Sequence, residues 1–254
     1  MPFVAVTGRQ IEYRMIPGDH AQTTLVFLHE GLGSVALWRD FPDRIAGRLS
    51  ARALVYSRFG YGLSDGLVAA RTPRFMHEEA LDVLPALLDQ FHIECPLLVG
   101  HSDGASIALI HAAASGRPVD GLVLMAPHVF VESETVESIA RIRETYRTTD
   151  LKARLAKYHA RVDDAFLGWA DTWLRPEFLD WSIEELVADV SRPMLLIQGR
   201  DDEYGTLEQL DRIEARAQAP TTRLVLAQCG HSPQRDQEAA VLDAVVEFAR
   251  NLTI

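Results

Sequence analysis

Gly100-His101-Ser102-Asp103-Gly104 places a serine between two glycines, where the apolar run Pro96-Leu97-Leu98-Val99 gives way to the small-residue segment Ala105 to Ile110. The pattern reads as a strand turning sharply into a helix with serine at the apex. Such a turn forces the apical residue into a strained conformation and brings neighbouring chain so close that a Cβ would collide, which is why glycines flank it. A serine hydroxyl is a weak nucleophile near neutral pH, so it needs a base within hydrogen-bond reach and a third group to orient that base. Two later segments carry such groups. Met194 to Gly199 reads as a strand running into Arg200-Asp201-Asp202-Glu203, and Leu224-Val225-Leu226 leads through Cys229-Gly230 to His231. Each loop follows the carboxyl end of a strand, the rim where open α/β sheets bind ligands.

Further apolar runs rich in branched residues occur at Thr24 to Leu28, Ala53 to Tyr56 and Leu122 to Met125, and they read as strands buried on both faces. Helix-period segments lie between several of the runs: Leu81, Leu84, Leu88 and Phe91; Ile107 to Ala113; Val241, Val245, Val246 and Phe248. Strand and helix alternate, so a parallel doubly wound sheet is expected, with Phe3 to Val6 and Ile11 to Ile16 as an antiparallel hairpin at one edge. Between Pro127 and Ser191 no strand-like run occurs. Helical segments at 135–146, 151–159, 165–174 and 183–190 predict an inserted cap over residues 128–190, with the core domain formed by residues 1–127 and 191–254. The aromatic residues of that segment, Trp169 among them, serve packing between short helices or line a pocket beneath them.

With 48% hydrophobic and 24% charged residues the chain has the composition of an ordinary globular enzyme rather than of a disordered one. A formal net charge of -11 opposes binding to nucleic acid or to anionic lipid, so a small molecule is the expected partner. The first eight residues lack a basic stretch followed by an apolar one, and no run is long enough to span a bilayer, so a cytoplasmic location is expected. Cys95 and Cys229 fall at opposite edges of the expected sheet, too far apart for a disulfide. The nine histidines show no His-x-x-x-His pair, and no Cys-x-x-Cys is present, so neither metal nor cofactor is expected. Oligomeric state stays open between monomer and homodimer.

Taken with their order along the chain, these motifs resemble the α/β-hydrolase superfamily over nearly the whole length, in particular its carboxylesterases and meta-cleavage-product hydrolases. The resemblance implies a mostly parallel central sheet with helices on both faces and an inserted helical cap. It also implies that Ser102 is the nucleophile, His231 the base and Asp202 the orienting acid, because Gly199 to Asp202 matches the family's Gly-x-x-Asp acid loop. Asp201 is the competitor for that place, and Glu203 is expected in solvent. His29-Glu30-Gly31-Leu32-Gly33-Ser34 is similar to the family's His-Gly-x-x-Gly-Ser loop, which assigns the oxyanion-binding N–H groups to Gly31 and Asp103.

Three departures stand out. Glu30 replaces the usual glycine, and a carboxylate beside an oxyanion must point away or be paired, with Arg58 as the candidate partner. Ser57 stands where the similar Asp-x-x-Gly-x-Gly-x-Ser loop commonly has aspartate. Asp103 follows the nucleophile, either as a carboxylate favourable to the helix dipole or as a side chain reaching the pocket to select cationic substrates. Glu30, His101, His128 and Trp169 are the expected pocket residues. The leading expectation is a serine hydrolase of small esters or thioesters. The alternatives are hydrolysis of a carbon–carbon bond in meta-cleavage-type dioxo acids, and a ligand receptor with negligible turnover.

Overall fold

A computed structural model describes residues 2–18 and 23–252. Its strands are β1 (Phe3–Val6), β2 (Arg9–Ile16), β3 (Leu25–Leu28), β4 (Ala53–Tyr56), β5 (Leu97–His101), β6 (Gly121–Met125), β7 (Met194–Gly199) and β8 (Thr221–Leu226). They form one sheet in the order β1-β2-β4-β3-β5-β6-β7-β8. β1 and β2 pair antiparallel, β2 meets β4 antiparallel, and every later pairing is parallel. Together with its helices this is the α/β-hydrolase fold. The central strands are mostly apolar because both of their faces are covered. Phe27, Val55, Val99, Val123 and Ile197 pack on one side, and Val26, Leu54, Leu98, Leu122 and Leu196 on the other. β8 departs from the expectation of a strand buried on both faces: as the outer strand it is only partly covered.

Helices α1 (Phe41–Leu49), α2 (Phe75–Glu78), α3 (Leu84–Gln90) and α4 (Asp103–Ala114) precede β6, with one π-helical turn, Glu79–Val83, joining α2 to α3. Between β6 and β7 lie α5 (Ser133–Thr148), α6 (Leu151–Leu155) and α7 (Val162–Trp173), followed by 3-10 turns at Pro176–Phe178 and Glu184–Asp189. The segment contributes no strand to the sheet; one antiparallel bridge, Phe130 to Ser182, closes its base. Helix α6 stops at Leu155, short of the expected 159. The chain turns there to bring His159 inward, where Nδ1 accepts the Gly62 N–H and Nε2 donates to the Leu32 carbonyl, each at 3.0 Å. The expected helix over 183–190 is a 3-10 turn. Helices α8 (Glu208–Arg216), α9 (Pro233–Asp236) and α10 (Glu238–Leu252) complete the chain. Among the described residues no helix is long and apolar enough to cross a membrane. Cys95 and Cys229 are both free.

Strand register brings the reactive loops to one rim. Leu28 pairs with Gly100, so the loop after β3 lies beside Ser102, and Gly199 pairs with Leu226, so the loops after β7 and β8 emerge together.

Candidate active site

Ser102 occupies the apex between β5 and α4 with φ 53° and ψ -121°, a left-handed region that L-residues rarely adopt. The flanking glycines hold it there. A Cβ on Gly100 would lie 2.4 Å from the Gly104 carbonyl oxygen, and one on Gly104 would lie 2.0 Å from that of Leu28. Backbone cannot yield at such distances, so the turn closes only with glycine at both positions.

His231 Nε2 lies 2.9 Å from Ser102 Oγ, and His231 Nδ1 lies 2.8 and 2.9 Å from the two Asp202 oxygens. Asp202 Oδ1 also accepts the N–H groups of Tyr204 and Gly205, at 2.8 and 3.2 Å, while Oδ2 accepts Gln198 Nε2 at 2.6 Å. Gln198 was not among the expected residues. A polar side chain inside the apolar run of β7 is the sequence signal that marks it. Burial would raise the Asp202 pKa, but His231 and the Tyr204 N–H hold it below the ordinary carboxylate value. Burial likewise works against the charged form of His231, but Asp202, then Glu203 and Glu30, outweigh it and lift the pKa above the ordinary histidine value. Asp201 is exposed and turns its N–H onto the Cys229 carbonyl. Glu203 is exposed, as expected, and its carboxylate accepts the His231 N–H at 3.3 Å.

His101 is absent from the cavity wall, where the sequence led us to expect it. It lies behind the histidine loop, donating from Nε2 to the His231 carbonyl at 2.6 Å and accepting Gln234 Nε2 at Nδ1, at 3.1 Å. Glu30 does border the cavity, and its carboxylate faces His101 Nδ1 at 3.4 Å and Arg235 Nη2 at 3.5 Å. Arg58 is therefore not the partner of the Glu30 side chain; it bonds the Glu30 carbonyl oxygen instead, at 2.9 Å.

The Asp103 carboxylate is fully buried, 3.6 Å from Arg58 Nη2, and accepts the Trp173 indole N–H at 3.2 Å. It is thus engaged by the fold, between Arg58 and Trp173. Burial outweighs Arg58 and Arg71 and raises its pKa. The Ser57 departure has a simple resolution: β2 supplies the missing carboxylate. Glu12 Oε2 accepts the Ser57 hydroxyl at 2.8 Å and the Leu63 N–H at 2.9 Å.

Above Ser102 lies a cavity of about 270 Å³, bordered by Gly31, Asp103 and His231 on one side and by Ile139 of α5, Leu155 of α6 and Trp169 and Trp173 of α7 on the other. His128 also lines it, its pKa pushed down to about 3 by burial and by the neighbouring His231, so its imidazole is neutral. Trp169 sits directly over Gly31: a Cβ there would lie 2.2 Å from the indole Nε1. Among the described residues no cluster of three or more His, Cys, Asp or Glu side chains is arranged to hold a metal ion. A hydroxyl, an imidazole and a buried carboxylate in line beside an apolar cavity can carry out general-base-assisted nucleophilic attack.

Comparison with known proteins places the fold among hydrolases. The chain is 25% identical, over 95% of its own length and 92% of the other's, to the 2-hydroxy-6-oxononadienedioate/2-hydroxy-6-oxononatrienedioate hydrolase 2 of Pseudomonas putida. A meta-cleavage product hydrolase from Pseudomonas fluorescens IP01 superposes with a TM-score of 0.76 at 19% identity, covering 99% of this chain and 98% of that one. A thermophilic esterase from Thermogutta terrifontis superposes with a TM-score of 0.75 at 17% identity and the same coverage. The sequence model of the alpha/beta hydrolase family matches residues 25–244, which takes in all three members of the relay, and the chain belongs to that family.

Proposed function

We propose that this protein is a serine hydrolase of small-molecule carboxylic esters or thioesters. One observation carries the reading: an unbroken relay from Asp202 through His231 to Ser102, with contacts of 2.8 and 2.9 Å, opens on a largely apolar cavity. Ser102 Oγ attacks the substrate carbonyl as its proton passes to His231 Nε2, and Asp202 holds the ring in the required tautomer and stabilises the imidazolium. The N–H groups of Gly31 and Asp103 receive the negative charge that develops on the carbonyl oxygen. His231 then protonates the leaving alcohol or thiol, and water, activated by the same imidazole, releases the acid. No step calls for a cofactor.

The ester reading is favoured over carbon–carbon hydrolysis by charge. A dioxo acid carries a carboxylate, and the cation bordering the cavity, Arg235, already faces Glu30. The second reading keeps its place because the Pseudomonas putida relative aligns over 95% of the chain. A turnover screen of short-chain esters, thioesters and dioxo acids against wild type and Ser102→Ala tests both readings. Ester turnover that Ser102→Ala abolishes, with an acyl adduct on Ser102 seen by intact mass, is the expected result. Full activity in Ser102→Ala overturns it, turnover of the dioxo acids alone selects the second reading, and ligand binding with no turnover selects a receptor.

A further inference from the structure

The Glu30–Gly31 peptide is restrained through its carbonyl. That oxygen accepts three hydrogen bonds, from His29 Nδ1 at 2.7 Å, Arg58 Nη2 at 2.9 Å and the Gly33 N–H at 3.0 Å. His29 can donate from Nδ1 because its Nε2 accepts the Arg58 N–H at 3.0 Å. Burial, with Arg58 beside it, keeps that imidazole neutral. The Gly31 N–H of the same peptide has no partner among the described residues. A trans peptide sets N–H and C=O on opposite sides, so anchoring the carbonyl on Arg58 turns the N–H the other way. There Gly31 borders the cavity beside Ser102. A peptide free to flip would offer the oxyanion a carbonyl oxygen instead, and repel it.

The same guanidinium reaches the other flank of Ser102. Arg58 Nη2 accompanies the Asp103 carboxylate at 3.6 Å, and Asp103 is the first residue of α4. Arg58 is wholly buried against the Tyr61 ring, and its Nε and Nη1 have no hydrogen-bond partner. Burying a cation with so few bonds is costly; its hydrogen bonds go to the loop on one flank of Ser102, and its charge faces the Asp103 carboxylate on the other. Building on the hydrolase reading, we infer that Arg58 is a positioning residue, holding the Gly31 and Asp103 N–H groups in the geometry that receives the oxyanion. It touches no reacting atom.

The test uses Arg58→Lys, Arg58→Met and the double variant Arg58→Met/Asp103→Asn, which leaves neither member of the buried pair charged. Three quantities are read: kcat and KM on an ester, the Ki of a trifluoromethyl ketone that adds to Ser102 and presents an oxyanion, and the active fraction by titration. Arg58→Met should lower kcat about 100-fold and raise Ki in parallel, with KM within about threefold. Arg58→Lys should fall between it and wild type. If Arg58→Met does not fold, the double variant supplies the same comparison. Wild-type kcat and Ki in the folded variants overturn the inference, as does a kcat loss matched by a smaller active fraction at unchanged Ki. Ser102→Ala, run beside them, separates the two claims. Activity surviving in Ser102→Ala removes the hydrolase reading, whereas an inactive Ser102→Ala beside fast Arg58 variants removes only the role given to Arg58.

Discussion

Replacing Gly31 by alanine should disable the enzyme through one contact. Gly31 has no left-handed backbone angle, so alanine is conformationally acceptable there, but its Cβ would lie 2.2 Å from Trp169 Nε1. Non-bonded heavy atoms settle near 3.5 Å, so the indole or the loop must give way by ~1.3 Å. Trp169 is 7% exposed and packs between Phe166 and Tyr204, so the ring cannot easily retreat, and the loop carrying the Gly31 N–H moves instead. With the Gly31 N–H as the proposed oxyanion donor, displacing it by about 1 Å, or losing it, costs roughly 100-fold to 1,000-fold in kcat. The informative assay is a double-mutant cycle of kcat for Gly31→Ala, Trp169→Leu and their combination, with thermal melting of each variant to confirm folding. Because the two residues touch, Trp169→Leu should recover part of the loss, with a coupling of about 1–3 kcal/mol. A Gly31→Ala variant within threefold of wild type, or strictly additive effects, would refute the reasoning.

Two further predictions concern the relay. Asp202→Asn should lower kcat by about four orders of magnitude because it leaves His231 in the wrong tautomer, while Asp201→Asn should stay near wild type; the opposite ranking reassigns the acid. The pH profile follows from the raised pKa of His231. Only the neutral imidazole can accept the Ser102 proton, so kcat/KM should fall as pH drops through that pKa, with a midpoint above the ordinary histidine value near 6.5. Glu30→Gln removes one of the charges that favour imidazolium and should move the midpoint down; a midpoint that stays or rises contradicts the electrostatic account.

The turn around Ser102 was legible because its requirement is local: two glycines, five residues and a clash that any Cβ would create. That Asp202 and His231 would meet Ser102 was legible from their order and their places after strands. What sequence could not disclose depends on contacts between distant segments. Glu12 lies within β2 and Ser57 just past the end of β4, and only their meeting explains why the loop at Ser57 dispenses with its own carboxylate. His101 is adjacent to Ser102 in sequence, yet its side chain serves the His231 loop, 130 residues further along the chain. The partial burial of β8 reflects sheet order, which its apolar run does not encode. Helices α1 and α8 bury short stripes, Phe41, Ile45 and Ala46, and Leu210 and Ile213, too brief to distinguish from their charged surroundings.

The contacts of α7 have a practical consequence. Trp169 and Trp173 lie one helical turn apart on one face, the first over Gly31 and the second bonded to Asp103, and both border the cavity. Of the four tryptophans in the chain, these two are placed so that a molecule entering the cavity changes the polarity around an indole. Intrinsic fluorescence of Ser102→Ala protein can therefore report occupancy without turnover, so that unreactive or slowly cleaved compounds become searchable by light emission alone.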